Sequence, residues 1–209
     1  MLGTRSLSCR RGRRLLFKDL ELRIEPGSVT WLRGTNGSGK TSLMRILAGL
    51  SHAAEGEVTW NGEPMRRAGS DVRRNLVYIG HANALKDDLT LCEAVAFLAV
   101  LADLDEPVQR ARAALSHMGL SNRCDAAVRT LSQGQRRRGS LARLVLDDRP
   151  RIWILDEPFD ALDAASVGTL RSMIEANAQR QGAVLLTSHQ IIEISGAREF
   201  DLEPWRAPA

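Results

Sequence analysis

An eight-residue segment near the N-terminus has the spacing of a phosphate-binding loop, G-x-x-x-x-G-K-[ST]. The candidate nucleotide ligands are this segment and the residue after it, namely Gly34, Thr35, Asn36, Gly37, Ser38, Gly39, Lys40, Thr41 and Ser42. Glycines let the backbone curl so that successive N–H groups point at phosphate oxygens. Lys40 is expected to bridge the β- and γ-phosphates, and the Thr41 hydroxyl to bind Mg²⁺. The segment therefore predicts a bound nucleoside triphosphate with Mg²⁺.

Two acidic residues, Asp156 and Glu157, directly follow the short apolar run Ile152–Leu155. Asp156 is expected to hold Mg²⁺ through water, so the predicted metal ligands are Thr41 and Asp156. Glu157 could orient the attacking water and take up its proton, which makes it a candidate catalytic residue. Taken alone, two acids at a strand end could also be surface residues. Beside a phosphate-binding loop, however, they favour triphosphate hydrolysis.

The segment Leu131–Gln135 is a third candidate phosphate ligand. Ser132 has the residue type and position of a helix N-cap, and the positive end of the helix that follows favours an anion. Ser132, Gly134 and Gln135 are therefore candidate cofactor-binding residues. The next three residues, Arg136–Arg138, are expected to form a solvated basic face.

Apolar residues predict the strands and helices that would position these segments. A strand over Ser28–Arg33 and a helix over Thr41–Leu50 flank the phosphate-binding loop. Ile152–Leu155 and Ala183–Thr187 have the apolar character of parallel strands that are buried on both faces. The order strand, glycine-rich loop, helix, together with these buried strands, predicts an α/β fold with a mainly parallel sheet.

Other segments predict additions to this core. Leu15–Ile24 and Gly56–Gly62, which ends in an Asn-Gly turn, indicate an antiparallel β patch. The pattern from Leu91 to Leu146 is helical and predicts an inserted α-helical subdomain at about residues 84–146. One domain over residues 1–209 is the expected organisation. The last few residues, rich in Pro and Ala, are expected to fray.

Composition narrows the environment and the partners. The net charge of +4 comes mostly from arginines spread along the chain, so no nucleic acid partner is expected. The three cysteines have no CxxC spacing, which implies neither a disulfide framework nor a zinc site and favours reduced thiols in the cytosol. The longest apolar run, Ala94–Ala102, falls short of the about 20 residues of a membrane span. No apolar stretch of signal-peptide kind is expected at the N-terminus.

In this order, the motifs resemble those of ABC transporter ATP-binding subunits. Leu131–Gln135 resembles the family signature LSGGQ, with Gln133 in place of the first glycine. Asp160–Asp163 resembles the D-loop of the dimer seam, and His189 matches the switch histidine that contacts the γ-phosphate. The resemblance implies the P-loop NTPase core of an ABC ATPase, with ATP as the nucleotide and hydrolysis to ADP and phosphate. It also implies a homodimer, in which Ser132 and its neighbours cover the ATP of the other subunit.

Two positions depart from the family pattern. His81 stands where the family has Gln in the loop before the helical lobe. Histidine can still bond water or a metal-bound oxygen, and it changes charge near neutral pH, so His81 is a third candidate catalytic residue beside Glu157 and His189. The alternative that His81 is only a turn residue stays open. The aromatic residue that stacks on adenine in the family falls near Arg11, where either arginine stacks instead or base selectivity is poor.

A closer resemblance is to the haem exporter family, the CcmA-type ATP-binding subunits of cytochrome c maturation. Tyr78–His81 is similar to its Y/W-[LI]-G-H segment, Val58–Gly62 to its strand and turn, and Leu155–Phe159 shares a Phe after Pro. The resemblance implies two copies on the cytoplasmic face of the bacterial inner membrane. They would bind integral membrane subunits of CcmB and CcmC kind and drive release of a haem-loaded chaperone. Two alternatives stay open, a subunit of another small ABC transporter and a soluble ABC ATPase without a membrane partner.

Overall fold

A computed structural model of the chain describes residues 1–207, with the backbone alone at positions 70 and 73. The last few residues were expected to fray; positions 208 and 209 lie outside the described residues, whereas the Ala207 N–H donates to the Leu16 carbonyl at 3.1 Å. The strands are β1 (Leu2–Arg11), β2 (Arg14–Leu20), β3 (Arg23–Ile24), β4 (Val29–Arg33), β5 (Glu55–Trp60), β6 (Glu63–Pro64), β7 (Leu76–Ile79), β8 (Ile152–Leu155), β9 (Ala183–Leu186) and β10 (Ala197–Asp201). The helices are α1 (Lys40–Leu47), α2 (Met65–Ala68), α3 (Ser70–Asn75), α4 (Leu91–Leu101), α5 (Pro107–His117), α6 (Gln133–Leu141) and α7 (Ala164–Gln179).

The chain forms two compact units. The first unit consists of Met1–Tyr78, Pro150–Asp156 and the residues from Ile174 onward. The second unit consists of Ile79–Arg149 and Glu157–Met173. The chain passes between the two units directly after Asp156, so the two neighbouring acids predicted to act on the nucleotide belong to different units.

A mainly parallel sheet forms the base of the first unit. Its strand order is β10-β4-β9-β8-β7, and the pairs β10–β4, β4–β9 and β9–β8 are parallel. Every residue of β8 and β9 is buried, as expected for parallel strands covered on both faces. The carboxyl ends of β4, β8 and β9 lie at one edge of this sheet. In open α/β sheets that edge is where ligands bind.

An antiparallel sheet completes the first unit, with β1 paired to β2, β3 and β5 and with β6 beside β5. The β5–β6 hairpin turns at Asn61 and Gly62, both at positive φ, as the Asn-Gly pair requires. Apolar side chains of this sheet, of α1 and of the parallel sheet pack into one core, which includes Phe17, Leu43 and Ile154. This core fixes the start of α1 beside the end of β4.

The second unit is mainly helical, and its helices α4 and α6 each begin with a capping box. Thr90 and Glu93 exchange backbone and side-chain hydrogen bonds at the start of α4, and Ser132 and Gln135 do the same at the start of α6. Cys92 and Cys124, distant in sequence, lie on neighbouring segments, where the Cys92 N–H donates to the Cys124 carbonyl at 2.9 Å. Burial raises the pKa of the Cys92 thiol.

The observed architecture confirms the predicted α/β class with a parallel and an antiparallel sheet. β1 was not predicted, although it pairs with three other strands. β10 was also not predicted, because its sequence Ala-Arg-Glu-Phe-Asp has little apolar character and it lies exposed at the sheet edge. Among residues 1–207, no helix has the length and apolar character to cross a membrane.

Candidate functional site

The phosphate-binding loop of the first unit connects β4 to α1, as predicted. Gly34, Gly37 and Gly39 all lie at positive φ. A Cβ at Gly39 would also lie 3.1 Å from the Phe17 ring, so only glycine fits there without a shift. Helix α1 starts after Gly39 with no side-chain cap and no acid in its first turn. Its positive end is therefore left for an anion.

Two side chains of the loop have the arrangement of an anion cradle. The Lys40 ammonium donates to the carbonyl oxygens of Gly34 at 2.7 Å and of Thr35 at 3.1 Å, which holds the charge across the mouth of the loop. The Ser38 hydroxyl is buried and has no hydrogen-bond partner among the described residues. A buried hydroxyl without a partner is unfavourable, so this atom fits a ligand oxygen. Asn36, Gly37 and Thr41 are exposed, which leaves the loop open to a nucleotide.

Glu203, near the C-terminus, contacts the same loop and was missed by sequence reasoning. Its carboxylate accepts from the Thr35 N–H at 2.7 Å and from the Thr35 hydroxyl, and these bonds lower the pKa of Glu203. Both donors of Thr35 thus face Glu203. In this arrangement Thr35 shapes the loop through its backbone, while the donors toward a phosphate come from the residues after it. No local pattern near Glu203 could have indicated this contact across 168 residues.

Asp156 lies at the end of β8 in the same unit and is 3% exposed. Its Oδ1 accepts a 2.9 Å hydrogen bond from the hydroxyl of Thr187, which follows β9. The neighbouring parallel strands β8 and β9 place these two residues side by side. Thr187 therefore orients the carboxylate predicted to hold the metal, a role that sequence reasoning had not assigned. Burial, and then the negative charge of Asp156, raise the pKa of Tyr78. His189 follows two residues later with its side chain exposed.

Glu157 opens the turn after β8 and lies in the second unit. It is 9% exposed and has φ of +50°, a left-handed conformation that is uncommon for a residue other than glycine. Such a conformation costs about 1–2 kcal/mol and persists only where the surroundings enforce it. A local strain of this kind is frequent at functional sites. Ala161 of the same turn also lies at positive φ.

The predicted phosphate ligands at the start of α6 form a capping box. The Ser132 hydroxyl accepts from the Gln135 N–H at 3.2 Å, and the Gln135 side chain accepts from the Ser132 N–H at 3.0 Å. Ser132 is exposed and Gln135 half-buried, so the helix end faces solvent. The dipole of α6 adds a partial positive charge at this exposed end. The segment can therefore receive an anion from outside the subunit.

His81 is exposed, and its Nδ1 lies 3.8 Å from Oδ2 of Asp160, in the segment resembling the D-loop. This contact is an ion pair only when the imidazole is protonated. It joins the loop before the helical lobe to the turn after Glu157 within one unit. His81 thus has a specific acidic neighbour, which a plain turn residue would not require.

The arginines after the signature segment do not form the solvated basic face that the sequence suggested. Arg137 is 3% exposed, and Arg136 and Arg138 are half-buried. Arg136 pairs with Asp87 at 3.1 Å and donates to two carbonyl oxygens. The expectation failed because the helical period turns Arg137 inward, where the main-chain carbonyls of neighbouring loops need donors.

Gly134 of the signature segment has no room for a side chain. A Cβ there would lie 2.8 Å from the carbonyl oxygen of Ala161, a backbone atom that cannot move away cheaply. We expect Gly134→Ala to destabilise the protein by about 1–3 kcal/mol, because the added methyl group would push the start of α6 away from the turn after Glu157. Gly168→Ala on α7 is the matched control, since a Cβ there meets nothing within 4 Å. The control should stabilise by about 0.4–1 kcal/mol. Urea unfolding measures the free energy of unfolding of both variants, and equal changes in the two would contradict the packing argument.

Comparisons with known proteins agree with these features. The sequence model of the ABC transporter family matches residues 17–160. The cytochrome c biogenesis ATP-binding export protein CcmA of Dechloromonas aromatica is 46% identical over 93% of this chain and 95% of its own length. The protein of the same name from Pseudomonas fluorescens is 44% identical over 98% and 97%. The dimeric structure of MJ0796, a bacterial ABC transporter cassette, superposes with a TM-score of 0.83 at 22% identity, covering 97% of this chain and 95% of that one.

Proposed function

The chain belongs to the ABC transporter family and is an ABC-type ATPase, and from that premise we propose that it is the ATP-hydrolysing subunit of a cytochrome c maturation complex. The observation that supports this finer assignment is the similarity to CcmA proteins, at 39–46% identity over more than nine-tenths of the chain. Similarity of this extent covers both units and not only the nucleotide-binding motifs.

Residues of the first unit would hold the nucleotide and its metal. The amides after Thr35, the Ser38 hydroxyl and the Lys40 ammonium would receive the phosphates of ATP. Thr41 and Asp156 would hold Mg²⁺, which when bound neutralises charge on the phosphates. Residues 1–207 contain no cluster of three His, Cys, Asp or Glu able to bind a metal by protein groups alone. Mg²⁺ shared between one or two protein oxygens and phosphates requires none.

Glu157 is the proposed general base of hydrolysis. Its carboxylate would take the proton of the water that attacks the γ-phosphorus, as the bond to the ADP oxygen breaks. His189 would donate to a γ-phosphate oxygen. His81, with Asp160 beside it, would orient the water or the metal shell in place of the family's glutamine. In phosphoryl transfer, positioning of the reacting groups and electrostatic stabilisation of the transition state supply most of the acceleration.

The nucleotide site would be completed by a second copy of the chain. Ser132, Gly134 and Gln135 of one copy would cover the γ-phosphate held by the other. The exposed start of α6 supports this, because its positive end faces solvent. A homodimer with two ATP molecules at its seam follows from this arrangement. No nucleic acid partner is proposed.

The homodimer would sit at the cytoplasmic face of the bacterial inner membrane, bound to integral membrane subunits of CcmB and CcmC kind. Closure of the dimer on ATP, followed by hydrolysis, would drive release of a haem-loaded chaperone. The loop near His81–Lys86 would transmit the motion to the membrane subunits. The chain itself would have no haem ligand.

Purification of the chain from its own host in mild detergent tests this assignment. We expect membrane subunits of CcmB and CcmC kind to co-purify with the Glu157→Gln variant in MgATP, and mass spectrometry identifies them. Membrane subunits of a different transporter would instead establish another small ABC system. A chain that purifies without membrane proteins, in either nucleotide state, would favour a soluble ABC ATPase.

A further inference from the structure

The guanidinium of Arg137 lies buried at the junction of three segments of the second unit. Its Nη2 donates to the Glu157 carbonyl at 2.7 Å, and its Nε to the Pro158 carbonyl at 3.3 Å. Its Nη1 donates to the Gly80 carbonyl at 2.9 Å and lies 3.4 Å from Oδ1 of Asn83. A charge that is 3% exposed is costly unless such acceptors satisfy it. The burial of Arg137 therefore depends on these loops keeping their positions, and the loops in turn depend on Arg137.

The bond to Glu157 fixes the peptide plane that follows the proposed general base. Glu157 is held at φ of +50°, and its carbonyl also accepts from the Asp160 N–H at 3.3 Å. A positive φ at a glutamate relaxes readily unless neighbours hold the adjoining peptide groups. Charged donors form the strongest hydrogen bonds to a carbonyl. Of the two hydrogen bonds to the Glu157 carbonyl, the one from Arg137 is therefore the shorter and the stronger, and it restrains the direction in which the Glu157 side chain leaves the backbone.

The bonds at the other end of the guanidinium hold the loop that carries His81. Gly80 directly precedes His81, and Asn83 follows two residues after it. The Asn83 amide oxygen also lies 3.4 Å from the Ser140 hydroxyl of α6. One side chain on the signature helix therefore ties together the segment before His81 and the turn after Asp156.

We propose that Arg137 is a positioning residue for hydrolysis, which aims the Glu157 carboxylate by holding its peptide group against the signature helix. The proposal rests on the general-base role of Glu157 proposed above. Arg137 acts through Glu157 and does not touch the nucleotide. Lysine cannot replace it, because a single ammonium lacks the planar fork that reaches carbonyls of two different loops at once.

Arg137→Lys tests the proposal while keeping the buried charge. We expect kcat for ATP to fall about 10- to 100-fold, since a displacement of about 1 Å of a catalytic group has effects of this size. The KM for ATP and the affinity for MgATP should stay within about threefold, because no phosphate ligand is changed. Arg112→Lys is the matched control in the same unit, where an exposed arginine pairs with Asp125 at 3.0 Å. The control should leave kcat and KM unchanged.

A double-mutant cycle separates positioning from general damage to the fold. If Arg137 acts through Glu157, adding Arg137→Lys to Glu157→Gln should lower the residual rate by less than about threefold. A purely structural role predicts that Arg137→Lys costs the same factor in both backgrounds. Unchanged kcat in Arg137→Lys, equal losses in the two backgrounds, or a parallel loss of MgATP binding would each overturn the proposal. If Glu157→Gln itself keeps normal turnover, the general-base assignment fails instead.

Discussion

Replacing Glu157 with glutamine should lower ATP turnover about 10²- to 10⁴-fold and leave MgATP binding nearly unchanged. The range is the usual contribution of a general base that takes a proton in the transition state. Glutamine has the same shape as glutamate and still bonds water, but it cannot accept that proton. The backbone bond from Arg137 to the residue 157 carbonyl does not involve the side chain, so the turn after β8 should persist.

Phosphate release at saturating MgATP measures the turnover, and titration with a fluorescent ATP analogue measures the binding. Glu106→Gln is a suitable control, because Glu106 also lies at positive φ but is exposed, at the start of α5. It should keep normal turnover. Near-normal turnover in Glu157→Gln would remove Glu157 from the role of base. Loss of ATP binding in that variant would indicate a structural effect.

Lys40→Ala should weaken MgATP binding about 10- to 100-fold. The Lys40 ammonium spans the loop mouth between the carbonyls of Gly34 and Thr35, where phosphate oxygens would replace these acceptors. Hydrogen bonds to a charged group contribute about 1.5–3 kcal/mol, which corresponds to this loss. The loop backbone should keep its shape, since the positive-φ glycines and the Thr35 bonds to Glu203 do not depend on Lys40.

Isothermal titration with ATP and Mg²⁺ at fixed salt measures the affinity. Lys18→Ala is the matched control, because Lys18 on β2 is exposed and its ammonium makes a long ion pair, at 3.8 Å, with the exposed carboxylate of Asp19. We expect its affinity to equal that of the unmodified chain, so that a general loss of positive charge is excluded as the cause. Equal affinity in the Lys40→Ala variant would contradict the phosphate-cradle assignment.

Local patterns were enough to predict the elements around the phosphate-binding loop. The strand before Gly34, the helix from Lys40 and the N-cap at Ser132 each depend on residues within a few positions of one another. The buried strands β8 and β9 were predicted for the same reason, since an apolar run is visible without knowing its neighbours. The family resemblance then related these segments to a shared chemistry, and the comparisons confirm the family.

The contacts that orient the site could not be predicted, because they join residues distant in sequence. Thr187 bonds Asp156 across 31 residues, and Glu203 bonds Thr35 across 168. Arg137 was expected to be solvated, since three consecutive arginines look like a surface patch, yet the helix buries the middle one among the loops and leaves the other two half-buried. The positive φ of Glu157 also has no sequence signal, because the residues that hold it there, such as Arg137, are distant in sequence.

The molar mass of the Glu157→Gln variant in solution, with and without MgATP, tests the central claim that two copies enclose the nucleotide between the Lys40 loop of one and the Ser132 segment of the other. Light scattering after size exclusion should give 23.0 kDa without nucleotide and about twice that mass with MgATP. Lys40→Ala added to the same variant should remain at the lower mass under both conditions. A mass that stays at 23.0 kDa when binding shows the variant saturated with MgATP would contradict the account.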